Sequence, residues 1–142
     1  MIYAVIDTNV FVSALLSRFS DAATVHVVEA ISKSGICPLY NEEIYAEYED
    51  VLNREKFNFP SDLIRAILDK VKKFGVSTNR VPIAEFFPDP KDVVFYEVAM
   101  SKEDAYLVTG NKKHFPNTPI VVTPAEMVEI LNQAIRGGVG TR

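Results

Sequence analysis

Short apolar runs alternate with longer amphipathic stretches along this chain, and that alternation limits its fold more than any other feature. Met1 to Ile6, Ile36 to Tyr40, Tyr106 to Thr109 and Ile120 to Val122 are too short for helices and too apolar for loops. Between them lie stretches with helical spacing: Thr8 to Leu16, Ala22 to Lys33 ending near Gly35, Asn41 to Arg54, Ser61 to about Phe74, Val93 to Met100 and Thr123 to about Ile135. The punctuation agrees. Asn41 suits an N-cap, Pro60 opens the helix at Ser61, Gly75 stops it, Val76 to Pro82 is extended, and Pro90 fits the first turn before Val93. Strands alternating with helices imply right-handed crossovers and a parallel sheet with helices on both faces, so the fold class is α/β. No internal repeat is visible.

At 142 residues the chain has room for one core, predicted over residues 1–136, with a loose tail at 137–142. A composition 48% hydrophobic and 24% charged, without low-complexity tracts, is that of an ordinary globular protein. Cys37 is the one cysteine, which excludes an internal disulfide and a cysteine-based zinc site and points to a reducing cytoplasm. The Ile2 to Ile6 run is too short for a signal-peptide core and has no basic leader. No apolar run approaches the roughly 20 residues of a membrane span, so no membrane association is expected. A net charge of −4 argues against a basic nucleic-acid coat, which leaves local clusters such as Lys70, Lys72 and Lys73 to steer a polyanion.

Ligands of open parallel sheets gather beyond the carboxyl ends of the strands, and that rule selects Asp7 first. It follows Tyr3-Ala4-Val5-Ile6 directly, and a carboxylate abutting a buried strand must be paired, protonated or bound to a cation. Read alone, it serves equally well as the N-cap of the helix at Thr8. Asn111, after Tyr106-Leu107-Val108-Thr109-Gly110, faces the same rim and offers a carbonyl oxygen, although Gly-Asn is also ordinary turn chemistry. Asp89-Pro90-Lys91-Asp92 reads as a capping box, yet Asp92 shares a helix face with Phe95, Tyr96 and Ala99. On the helix from Asn41, Glu47 and Glu49 lie equally close to opposite edges of the apolar stripe, and periodicity does not choose between them. Glu43 and Glu47 repel mildly at i,i+4 unless a cation intervenes.

Taken together, Val5-Ile6-Asp7-Thr8-Asn9, Glu47-Tyr48-Glu49-Asp50-Val51-Leu52, Asp89-Pro90-Lys91-Asp92 and Leu107-Val108-Thr109-Gly110-Asn111 resemble the ordered motifs of the PIN-domain family. The likeness is closest to its VapC-like branch, the toxin components of toxin–antitoxin pairs. It implies a three-layer α/β/α fold and a metal-dependent endoribonuclease. Asp7, Glu47 and Asp92 are then the catalytic and metal-binding acids, Glu47 being preferred because it opens the family's Glu-x-x-x-Val-Leu pattern. Where many members carry an aspartate, this chain has Asn111, an oxygen ligand with one charge fewer. Thr8, Asn9, Asp89 and Thr109 are expected to support the ligands, and Lys112, Lys113 and His114 to contact RNA phosphates. An all-oxygen ligand set suits Mg²⁺ or Mn²⁺ rather than zinc. The resemblance also implies an RNA substrate, a small antitoxin partner and a homodimer.

Two rivals differ in class. An aspartyl-phosphate enzyme would also place an acid after its first strand, but Asp7-Thr8-Asn9 lacks a second acid two residues on. The other rival is a PIN fold that binds RNA or a partner without cutting, for which Asn111 is the motive.

Overall fold

The computed structural model describes the backbone of residues 1–140 and the side chains through Arg136. Its strands are β1 (Ile2–Ile6), β2 (Ile36–Tyr40), β3 (Val76–Ser77), β4 (Tyr106–Val108) and β5 (Val121–Val122). Its helices are α1 (Thr8–Leu16), α2 (Ala23–Ser32), α3 (Glu42–Leu52), α4 (Ser61–Phe74), α5 (Val93–Ala99) and α6 (Pro124–Gly140), with 3-10 turns at Pro90–Asp92 and Lys112–His114. All strands pair in parallel, in the order β3-β2-β1-β4-β5.

Successive strand residues face opposite sides of a sheet. In β1, Ala4, Val5 and Ile6 are all fully buried, and Ile36, Cys37, Pro38 and Leu39 are buried in β2, so both faces of the sheet are covered. This is the α/β sandwich expected, a PIN-like arrangement of helices on both sides of a parallel sheet. Chain order runs outward from β1 through β2 to β3, then crosses back to β4 on the other side of β1. The crevice between the carboxyl ends of β1 and β4 is therefore the switch point at which such sheets bind ligands.

Element ends depart from expectation in instructive ways. β3 pairs only Val76 and Ser77 with Leu39 and Tyr40, so the extended stretch to Pro82 leaves the sheet early. Gly75 does end α4, but with an extended φ of −96° rather than a left-handed turn. Its smallness is what matters: a Cβ there would lie 2.4 Å from the Val71 carbonyl oxygen and 2.5 Å from that of Pro38. After α2 the left-handed residue is Ser34, at φ 63°, and not Gly35. α6 continues to Gly140, past the end expected near Ile135; within the expected tail 137–142, only 141–142 lie outside the described residues.

Candidate metal centre

Asp7 occupies the N-cap position of α1, yet its carboxylate makes no capping hydrogen bond. It is 6% exposed, its amide donates to the Val108 carbonyl at 2.9 Å, and its Oδ2 accepts from the Thr109 hydroxyl at 2.7 Å. The Thr109 hydroxyl in turn accepts from the Asn111 amide at 3.0 Å. The turn after β4 is thus folded around the acid that ends β1. One hydroxyl compensates only part of the cost of burying a carboxylate. Burial accordingly raises the Asp7 carboxyl, the Thr109 bond opposes it, and the charge of Glu47 raises it further.

Helix α3 is capped by Asn41, whose Oδ1 accepts from the Ile44 amide at 2.8 Å. Tyr48, buried on its inner face, donates its hydroxyl to the Ile6 carbonyl and pins the helix to the end of β1. That contact turns Glu47 toward the rim, where its Oε2 accepts from the buried Thr8 hydroxyl at 2.7 Å. Glu49 is exposed and lies with Tyr45, Asn53 and Arg65 on the side facing α4. Geometry thus separates the two glutamates that periodicity leaves equivalent.

Asp89 caps the turn before α5, its Oδ1 accepting from the Lys91 amide at 3.0 Å, with Pro90 in the first position as expected. Asp92, in the third position, does not complete the capping box. Its Oδ2 is buried without a hydrogen-bond partner, and the nearest cationic group is the His114 Nδ1 at 3.6 Å. At that separation the imidazole makes no hydrogen bond and attracts the carboxylate only when protonated. Burial pushes the Asp92 carboxyl up to about 6, with the charges of Asp7, Asp89 and Glu47 acting the same way and His114 opposing them.

Asp7, Glu47 and Asp92 therefore come near enough to feel one another's charge. As the side chains stand, no group of three or more His, Cys, Asp or Glu among the described residues is arranged to hold an ion. The donor set nevertheless fits a hard divalent cation. It consists of oxygens, two of its carboxyls are raised by burial, and one buried oxygen has no partner.

The remaining expected residues divide. Thr8 and Thr109 bond the acids directly. Asn9 and Asn111 line a cleft of about 300 Å³ beside the rim with Ser13, Thr24 and Gly110. Lys112 reaches Glu126 at 3.1 Å, Lys113 is exposed, and His114 turns inward to Asp92. In the α4 cluster, Lys70 is half-buried against the Val28 carbonyl, while Lys72 and Lys73 lie over the rings of Tyr45 and Phe74.

Sequence reasoning missed Arg80. Its guanidinium donates from Nε to Glu97 of α5, which is nearly buried, and from a terminal nitrogen to both oxygens of Glu43 at 3.0 and 2.9 Å. The chain itself thus supplies a cation to Glu43, but not to Glu47. No local pattern around residue 80 signals partners 37 and 17 residues away.

Comparison with known proteins agrees with the fold. No curated protein and no solved structure matches the chain. A profile of the PIN domain matches residues 3–113, which hold β1 from its second residue, β2 through β4 and every acid described above except Glu126. On that match, over more than half of its length, the chain belongs to the PIN domain family.

Proposed function

We propose that this PIN domain is a Mg²⁺- or Mn²⁺-dependent endoribonuclease whose metal-binding acids are Asp7, Glu47 and Asp92. One observation carries the reading: the buried, unpartnered Oδ2 of Asp92 beside two further carboxylates and no basic side chain within hydrogen-bond reach. A bound divalent ion supplies charge neutralisation on the phosphate and a more acidic water. The chain supplies placement. Thr109 and the turn behind it orient Asp7, Thr8 orients Glu47, and the capped turn at Asp89 presents Asp92. In the reaction a water oxygen bonds to phosphorus in line as the bond to the departing ribose oxygen breaks. That oxygen leaves with a proton, and the carboxylates hold position without attacking. By resemblance to the VapC-like branch, the domain acts as a toxin, forms a homodimer and is held in check by a small antitoxin that covers the rim.

Incubation of mixed RNA with Mg²⁺ or Mn²⁺ tests the reading, with the parent and Asp7→Asn purified identically. Loss of an outer-sphere partner costs about 10- to 100-fold, so loss of a ligand is expected to exceed about 100-fold. Equal cleavage by both proteins would overturn the assignment. Silence in both would favour the non-cutting reading, in which Asn111, lining the cleft beside the rim, marks a domain that binds RNA or a partner and leaves it intact.

A further inference from the structure

We propose that Phe86 is a stacking platform for one base of a single-stranded RNA entering the acidic rim, an inference that rests on the ribonuclease reading. Phe86 and Phe87 are the same residue in consecutive positions with opposite fates. Phe87 is buried, its ring 5.6 Å from that of Tyr96 and 6.1 Å from that of Phe115. Phe86 is 86% exposed, the most of any large hydrophobic side chain among the described residues. The segment around it is tied down, since Ile83 packs against the core and the Val81 amide donates to the Glu97 carbonyl at 3.3 Å. A side chain held in water on an anchored segment forgoes the stabilisation that burial would give it.

Position makes the exposure meaningful. Phe86 stands three residues before Asp89 and six before Asp92, so its Cα lies within about 10 Å of the first and about 20 Å of the second. Phe87 beneath it touches Phe115, the neighbour of His114, whose imidazole faces Asp92. The exposed ring is therefore no farther from the acids than a few nucleotides of an extended strand. Lys91, five residues after Phe86, and Lys113, two residues before the Phe115 that Phe87 packs against, are exposed and carry the charge that a sugar-phosphate strand needs. An aromatic face with lysines alongside is the combination that binds single strands without selecting a sequence. A duplex keeps its bases stacked inside and offers such a ring nothing, so the ligand is single-stranded or looped RNA.

The test uses the Asp7→Asn background, so that no strand is cut, and a short unstructured fluorescein-labelled RNA followed by anisotropy. Adding Phe86→Ala is expected to weaken binding by about 5- to 150-fold, the usual loss for one stacked base, with the thermal midpoint unchanged. The chain has no tryptophan, so Phe86→Trp in the same background is a single reporter whose emission a stacked base quenches. Retained affinity with quenching supports the proposal. Unchanged affinity in the alanine variant, or no quenching at saturating RNA, overturns it and leaves the cleavage reading standing. Failure of the Asp7→Asn protein itself to bind single-stranded RNA overturns both. A fall in solution mass on Phe86→Ala, with RNA affinity intact, would reassign the ring to a protein interface.

Discussion

Two groups of acids share the same pair of helices in this molecule and are treated in opposite ways. Glu43 of α3 and Glu97 of α5 close on Arg80, which gives each at least one charged hydrogen bond. One turn along α3 from Glu43, and just before α5, Glu47 and Asp92 lie near enough to Asp7 to feel its charge, with two threonine hydroxyls on Glu47 and Asp7 and an imidazole 3.6 Å from Asp92. Both groups pay for desolvation. The clasp is neutralised from within, whereas the rim has no internal guanidinium or ammonium of its own, a deficit that on the proposed reading a metal ion would relieve. The two acid clusters differ in whether the chain itself supplies the compensating charge.

Removing the internal cation should produce the largest effect on stability. Arg80→Met leaves Glu97 nearly buried and unpaired; breaking such a pair costs about 3–5 kcal/mol when both partners are buried. The guanidinium is 37% exposed, so solvent screens part of this and about 2–3 kcal/mol is expected. Urea unfolding measures it as a lower midpoint at unchanged slope. Arg80→Met with Glu97→Gln should cost less than the sum of the two, since the orphaned charge is gone. A loss for Arg80→Met within about 0.5 kcal/mol would mean that the clasp is an ordinary surface contact.

The rim should respond with the opposite sign. A carboxyl raised from 3.8 to about 6 binds its proton more tightly folded than unfolded, so Asp92 weakens the metal-free fold above pH 6. The penalty fades as pH falls through 6 and is gone below the unfolded value. Asp92→Asn should therefore stabilise the metal-free protein at pH 7 by on the order of 2 kcal/mol, and the gain should shrink toward pH 4. Added Mg²⁺ should raise the thermal midpoint of the parent more than that of the variant. A variant no more stable than the parent at pH 7 would show that the carboxylate is already compensated, and the contrast with the clasp would fail.

What could be read from the chain follows the range of the forces involved. β1, β2 and the helix limits of α1 and α4 come from contiguous patterns and local caps, and they stand within a residue of where the structure has them. Asp7 was visible because it ends a buried strand. The choice of Glu47 over Glu49 was not readable from spacing, because it depends on Tyr48 reaching the Ile6 carbonyl, 42 residues away. The proximity of His114 to Asp92 is likewise beyond the reach of local sequence, because 22 residues separate them and only the fold brings them together. Gly75 looked like a helix stop by conformation, whereas the approach of Pro38 is what forbids a side chain there.

The smallest effect serves as the control for burial itself. Arg54 lies just past the end of α3 and meets Asp50 at 3.1 Å, close to the 2.9 Å between Arg80 and Glu43, but Arg54 and Asp50 are 46% and 72% exposed. Charge types and distance are matched, and no acid in the pair is buried as Glu97 is. If desolvation sets the value of an ion pair here, Arg54→Met should shift stability by no more than about 0.5 kcal/mol, several-fold less than Arg80→Met. Equal losses at the two positions would instead tie the cost to the removal of an arginine as such. The deficit at the rim would then need an origin other than burial.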